Sequence, residues 1–376
     1  MNKTDITGAK EQYYSASQWT LVRGKFLKNR VAAIGFWFLM FLFLLSIFAE
    51  FIAPYPPSAG TKEGKDRKYT YGPPQIVHIF DQDGLTRPYV EDRQTKYSIT
   101  SGEMQRKYRV EGTKKYKVLD KFKEDETIGT LSLSFFVHGS SYRLFGLFPA
   151  DIHLFGATDP KRKVHLFGTD QFGTDLFSQC MYATRTSLSI GALAVFIAFF
   201  MALIIGGTSG YVGGYTDVGI QGASDTIRMI PTIPLYAAFA ATFPKEWSNV
   251  QIYFALTSIL GLLGWTTLAR RIRTHVLATR NDDYILSSKI SGASGAWIIR
   301  RHLLPSFTSY IIVDLIISFP YIVLAETALS LIGLGLRRPT ISWGVLMQDM
   351  TTLQAIQLTP WYFIPLIFFS LAILGF

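Results

Sequence analysis

Four ionisable residues, Asp225, Arg228, Asp314 and Glu326, fall inside strongly apolar stretches. A charge within a lipid-spanning helix is costly unless it is paired or wetted, so such residues either form ion pairs or line an aqueous route. Asp225 and Arg228 stand three apart, which favours a local ion pair on one helix face. Glu326 has two readings: it faces a cavity, or it caps the loop that follows. Pro231 and Pro234 interrupt the same apolar stretch that follows Asp225, and the carbonyls they free either contribute to a gate or mark a kink.

A second constellation is polar. Asp283-Tyr284-Ile285-Leu286-Ser287-Ser288-Lys289-Ile290-Ser291-Gly292-Ala293-Ser294, reaching on to Pro305, is a short amphipathic segment broken by a glycine. Arg270, Arg271, Arg273, Arg280, Lys289, Arg300 and Arg301 surround it, and a basic loop between spans stays in the cytoplasm. Ser287 and Ser288 are small enough to let a helix sit deep in a partner's groove, and Gly292 permits the turn that ends it. The bland alternative is a solvated connector.

Other chemistries lack their residues. The chain has no GxxxxGK[ST], and the glycine pairs 206–207 and 213–214 lack a following lysine, so nothing can cradle ATP phosphates. Its six histidines show no HExxH or His-x-His pairing, no Ser/His/Asp set stands out, and the single Cys180 excludes an internal disulfide. No catalytic residue and no metal site are expected. The net charge of +10 does not indicate nucleic acid, because the basic residues flank apolar runs or share a region rich in carboxylates.

The elements that position these groups are membrane spans. Mean hydropathy is +0.22 over 376 residues, as expected for spans plus one sizeable polar region. Val31 to Ala49, extended to residue 53, is long enough to cross a core of about 30 Å and lacks a cleavage site after it. Lys3, Lys10, Arg23, Lys25, Lys28 and Arg30 precede it and place the 1–30 tail in the cytoplasm. A polar insert follows over 54–183. Within it, Thr130–Val137 and Tyr142–Phe145 read as a hairpin turning at 138–141, and the recurring Leu-Phe-Gly at 144–146, 154–156 and 166–168 marks turn-and-anchor positions.

Five more spans are expected in the 184–376 core: 187–206, 217–243 bent at Pro231 and Pro234, 251–268, 306–334, and 361 onward. Counting back from a cytoplasmic 270–305 loop puts 54–183 outside and the N-terminus inside, in agreement with the charges. Trp247, Trp343 and Trp361 fall near outer boundaries, as an aromatic belt would. The stretch from Trp361 to Phe376 rises only about 24 Å as a helix, so the last span is expected to continue past Phe376. The fold class is therefore an all-α polytopic membrane protein of six transmembrane helices, with a β-containing extracytoplasmic insert between the first two.

The basic loop resembles the coupling loop of ATP-binding-cassette importer permeases: Glu-Ala-Ala, three residues, Gly, nine residues, then Ile-x-Leu-Pro. Here the frame is Leu286-Ser287-Ser288, Gly292 and His302-Leu303-Leu304-Pro305, so Leu286 replaces the glutamate and His302 the isoleucine. From about His165 onward the chain is similar to the C-type permease subunit of oligopeptide and dipeptide importers. The similarity rests on Leu166-Phe167-Gly168-Thr169-Asp170-Gln171-Phe172-Gly173-Thr174-Asp175-Leu176-Phe177-Ser178, on Gly210 to Gly214 with Asp217, on Ala325 to Ser330, on Gly333-Leu334-Gly335 and on Ser342-Trp343-Gly344. Ser17-Gln18-Trp19 and Asn29-Arg30 resemble the family's N-terminal tail. Gly222 stands where the family commonly has arginine.

This resemblance implies a multi-pass subunit of the bacterial or archaeal cytoplasmic (inner) membrane that is not itself an enzyme. It would form half of a peptide pathway with a second homologous permease, two cytoplasmic ATP-binding subunits and an extracytoplasmic substrate-binding protein. ATP and Mg would sit on the ATPases, with no cofactor on this chain. It implies that Asp283, Tyr284, Leu286, Ser287, Ser288, Gly292, Ala293, Ser294 and Pro305 couple to the ATPase. Asp225, Arg228, Asp314 and Glu326 are the candidates to border the pathway, read from their charge within apolar stretches and not from the resemblance. Related permeases also move nickel chelates or oligosaccharides. A reading from another class is a membrane-anchored sensor whose insert binds a ligand; it leaves five further spans unexplained.

Overall fold

The computed structural model describes residues 26, 28–57, 69–81, 84–92, 95–100, 103–109, 116–118, 129–144, 146–159, 162–244, 246–351 and 359–376. Lys3, Lys10, Arg23, Lys25, the Ser17–Trp19 motif and Phe145 of the expected hairpin lie outside the described residues.

Among the described residues, four helices are long and apolar enough to cross a membrane. The first, α1 (Arg30–Ile47), starts where Asn29 Oδ1 accepts the N–H groups of Val31 (3.2 Å) and Ala32 (3.3 Å), two donors that a helix start leaves orphaned. Its face is largely uncovered, with Ile34, Phe36, Trp37, Met40 and Phe41 exposed. A short α2 (Ala49–Ile52) follows.

The polar region forms two antiparallel sheets. One has the order β1 (Val77–Asp81), β2 (Gly84–Glu91), β6 (Thr130–Leu144), β7 (Phe148–Ala157), and the other is β3 (Thr95–Thr100), β4 (Glu103–Arg109), β5 (Tyr116–Val118). The expected hairpin exists, but its turn is at Gly146 (φ +73°) rather than at 138–141. Residues 138–141 stay within β6 as a bulge: Gly139 lies against the His153 ring and the Ser140 carbonyl is 3.0 Å from His153 Nε2, so the strand swells instead of reversing. The Leu-Phe-Gly at 154–156 likewise lies inside β7, whereas those at 146 and 168 end in turns.

The second long helix, α3 (Leu176–Val212), begins at Leu176, so the boundary expected at 183/184 falls inside it. Asp175 sets that start, its Oδ2 accepting the Ser178 N–H at 2.7 Å. The preceding Leu166–Ser178 motif folds as a knot around Asp170. That carboxylate accepts the N–H groups of Phe172 and Thr174 (2.8 Å each) and Gln179 Nε2 (2.9 Å), and faces Arg338 at 3.3 Å.

The stretch expected as one bent span is two helices, α4 (Gly214–Met229) and α5 (Thr232–Ala241). Ile230 and Pro231 are extended between them, because a proline supplies no N–H and disfavours helical backbone in the residue before it. Next come the long helices α6 (Asn249–Thr279) and, after α7 (Asp283–Ile290) and α8 (Gly295–Ile298), α9 (Thr308–Leu331). Helices α3 and α6 approach closely: a Cβ on Gly206 would stand 2.4 Å from the Ala269 carbonyl oxygen, and one on Gly261 would stand 2.7 Å from Ile197 Cβ.

A further helix was not expected: α10 (Trp343–Met350) is buried within the segment read as an outer loop, and Gly344 lets it lie against Thr327 and Ser330 of α9. The chain closes with α11 (Ile364–Gly375).

Candidate coupling surface and intramembrane charges

Helix α7 is held by one side chain and one backbone turn. Ile285 is fully buried among Ile272 and Val276 of α6, Ile298 of α8, Leu303 and Phe307. At the C-terminus Gly292 takes φ +83°, its N–H bonds the Lys289 carbonyl and the Ala293 N–H bonds the Ser288 carbonyl, both at 3.0 Å. This pair of bonds is a Schellman cap, which requires a left-handed residue at Gly292.

Around that anchor, Tyr284, Leu286, Ile290 and Trp297 are exposed, with Ile290 at 88%. Ser288 and Ser291 turn their hydroxyls back to the Tyr284 and Ser287 carbonyls at 2.9 Å, which removes polar groups from the outward face. His302 packs edge-on to Trp297 (5.1 Å between ring centroids) and to Tyr284 (5.9 Å). Burial, followed by the neighbouring Asp282 carboxylate, raises the Tyr284 phenol above its ordinary value, so it remains an uncharged donor at neutral pH.

Of the other expected coupling residues, Asp283 and Ser287 are exposed on α7, Ala293 is half-buried, Ser294 caps α8 by accepting the Trp297 N–H (3.3 Å), and Pro305 is exposed. Pro305 follows a π-helical turn over Ile299–Leu303. Such a turn re-spaces the carbonyls that a missing proline N–H would leave unsatisfied.

Sequence reasoning missed the links that tie this surface to the spans. Arg280 Nη1 donates to the carbonyls of Gly210 (3.2 Å) and Tyr211 (3.4 Å), gripping the turn between α3 and α4. The Tyr211 ring lies where a Cβ on Gly295 would be, at 2.6 Å, and Lys289 Nζ stands 5.1 Å from that ring's centroid. Arg280 was visible only as one of seven basic residues, and nothing in the spacing paired Tyr211 with Gly295.

Of the four charges expected within spans, Asp225 and Asp314 pair between helices. Asp225 of α4 binds Arg270 of α6 rather than Arg228, which points outward from α4 and is exposed; the expected pair three residues apart does not form. Asp314 of α9, its side chain 5% exposed, binds Arg271, and Asp217 of α4 binds Arg273 and accepts from Ser209.

Glu326 is fully buried. It accepts Ser187 Oγ at 3.1 Å and Ser330 Oγ at 2.8 Å. Those hydroxyls in turn accept the N–H groups of Trp343 (3.2 Å) and Leu336 (3.1 Å), so Glu326 lies beneath the loop between α9 and α10.

Residues 194–376 match the family described as binding-protein-dependent transport system inner membrane component, and residues 17–74 match the N-terminal TM domain of oligopeptide transport permease C. The dipeptide transport system permease protein of Bacillus subtilis is 33% identical over 219 residues, 58% of this chain and 66% of the relative. The oligopeptide transport system permease protein of the same organism is 31% identical over 225 residues, 60% and 71% of the two chains. That of Mycobacterium tuberculosis (strain ATCC 25618 / H37Rv) is 28% identical over 240 residues, 63% and 80%. The chain thus spans about two thirds or more of the length of these relatives.

Proposed function

Since this chain belongs to the binding-protein-dependent transport inner-membrane components, in the oligopeptide and dipeptide permease branch, we propose that it forms half of an ATP-driven import pathway for peptides. It works beside a second homologous permease, two cytoplasmic ATP-binding subunits and an extracytoplasmic substrate-binding protein. ATP and Mg belong to the ATPases, and this chain transmits motion. In this reading the chain crosses the membrane six times, α4 and α5 together forming the third crossing and α11 beginning the last. The 1–30 tail is cytoplasmic and the 54–183 insert extracytoplasmic.

The observation that carries the proposal is the exposed apolar surface on α7, anchored through Ile285 and clamped to α3 and α6 through Arg280 and Tyr211. An ATPase that grips Tyr284, Leu286, Ile290 and Trp297 moves this rigid knob, and the spans move with it. Asp225, Arg228 and Asp314 border the route, while Glu326 braces the outer loop.

Ile290→Asp tests the docking. The side chain is 88% exposed, so folding and assembly are expected to persist while ATP-dependent peptide uptake is lost. Unchanged uptake at equal expression removes the docking role.

A further inference from the structure

The β6–β7 hairpin ends in side chains with no protein cover. Leu147 is 74% exposed and Phe148 64%, both directly after the tight turn at Gly146. An exposed apolar tip on a polar insert calls for an occupant, and the position of the hairpin indicates which.

Near its base, Phe155 of β7 stacks edge-on to Phe177 in the first turn of α3 (5.3 Å), and Phe136 lies 6.2 Å from Phe51 of α2. Farther along the hairpin, Tyr142 lies within electrostatic reach of Glu50 of α2 and of Tyr182 of α3. Tyr182 is about 8 Å farther along α3 than Phe177, and Arg185, which pairs with Glu50, is farther still. The hairpin therefore descends beside α3 toward its apolar part. The tip lies about 7 Å beyond the paired Tyr142 and Ala150. This brings Leu147 and Phe148 to the depth at which the apolar run of α3 from Ile190 onward begins.

We infer that the hairpin tip, Leu144 with Leu147 and Phe148, dips into the acyl region of the bilayer at the insert's side of the membrane. Tyr142 and Arg143 form the amphipathic rim at the headgroups, where such side chains keep their polar ends in water. Among polar positions just above, His138 pairs with Asp151 at 2.9 Å and remains exposed. The hairpin is then a further foot that fixes the β sheet against the membrane, beyond its contacts with α2 and α3.

The inference rests on the reading of α1 and α3 as spans, and the experiment separates the two. Nitroxide labels are placed singly at Leu147, Phe148, Ser140 and Phe41 in the full chain carrying Cys180→Ser, reconstituted in phosphatidylethanolamine–phosphatidylglycerol vesicles. Power saturation compares collisions with oxygen, which enriches in lipid, and with a water-soluble nickel chelate. Labels at 147 and 148 are expected to match Phe41 on α1, with an oxygen-to-nickel ratio several-fold above that at Ser140. A ratio at 147 and 148 equal to that at Ser140, with Phe41 still in lipid, overturns the inference and leaves the spans intact. Low collision with both reagents at 147 and 148 means that protein covers the tip, and this also overturns it. A water-like ratio at Phe41 refutes the span reading itself.

Discussion

Gly292 holds its backbone at φ +83° with nothing within 4 Å of where a Cβ would lie, so a substitution there strains the turn without a steric clash. Alanine is expected to cost about 1 kcal/mol and valine more, since a left-handed conformation disfavours any Cβ and a branched one most. Gly292→Val is therefore expected to leave the complex assembled but uncoupled, with ATPase activity no longer raised by substrate and uptake lost; Gly292→Ala is intermediate. Parallel uptake and ATPase assays on purified complexes check this. The Arg271–Asp314 pair gives an asymmetric expectation, because the arginine side chain is 58% exposed and the aspartate 5%. Arg271→Ala strands a buried carboxylate and tends toward the about 3–5 kcal/mol seen when one partner of a buried pair is removed. Asp314→Asn strands a guanidinium that already reaches the surface and costs less. Thermal unfolding midpoints in detergent are expected to rank wild type, Asp314→Asn, Arg271→Ala in falling order, and the double variant should recover part of the loss.

Among the helices, the α3–α6 contact carries the core of the permease, and Gly206 is its tightest point. A valine there must displace the Ala269 backbone, which cannot yield as a side-chain end would. Gly206→Val is expected to cost about 1–3 kcal/mol through overpacking and to lower the midpoint, whereas the same change at Gly222, which has nothing within 4 Å, should be nearly silent. The long spans were legible because continuous apolar runs such as 31–49 and 187–206 leave few alternatives. The break between α4 and α5 was legible as a bend but not as a division, since proline spacing does not say whether the residues between continue the helix. The hairpin turn was misplaced because His138-Gly139-Ser140-Ser141 has turn composition. A packed ring, His153, converts it to a bulge, and its contacts with Gly139 and Ser140 lie fourteen and thirteen residues away in the chain. Helix α10 was missed because eight residues that include a glycine, Gln348 and Asp349 resemble a loop until Trp343 and Gly344 are seen to be buried. At the coupling surface the glycine and the spacing were readable from sequence, but Ile285 as anchor and Arg280 as clamp depend on tertiary neighbours.

For the molecule as a whole, the proposed orientation in the membrane rests on loop charge and on the parity of the six proposed spans. A cysteine at Thr158, which is exposed in the insert, is expected to react with an impermeant thiol reagent in intact cells carrying Cys180→Ser. Labelling only after permeabilisation would reverse the topology and place α7 on the wrong side for any cytoplasmic partner.

Helix α6 carries Arg270, Arg271 and Arg273 within little more than one turn, and they grip Asp225 and Asp217 on one neighbour and Asp314 on another. Successive residues project about 100° apart on a helix. Rolling α6 about its own axis would thus carry all three arginines off their present partners at once. Tilting or sliding it in concert with α4 and α9 releases none. The helix is geared to its neighbours, and a pull arriving through Arg280 at its lower end leaves it as a swing of three joined rods rather than as a twist of one.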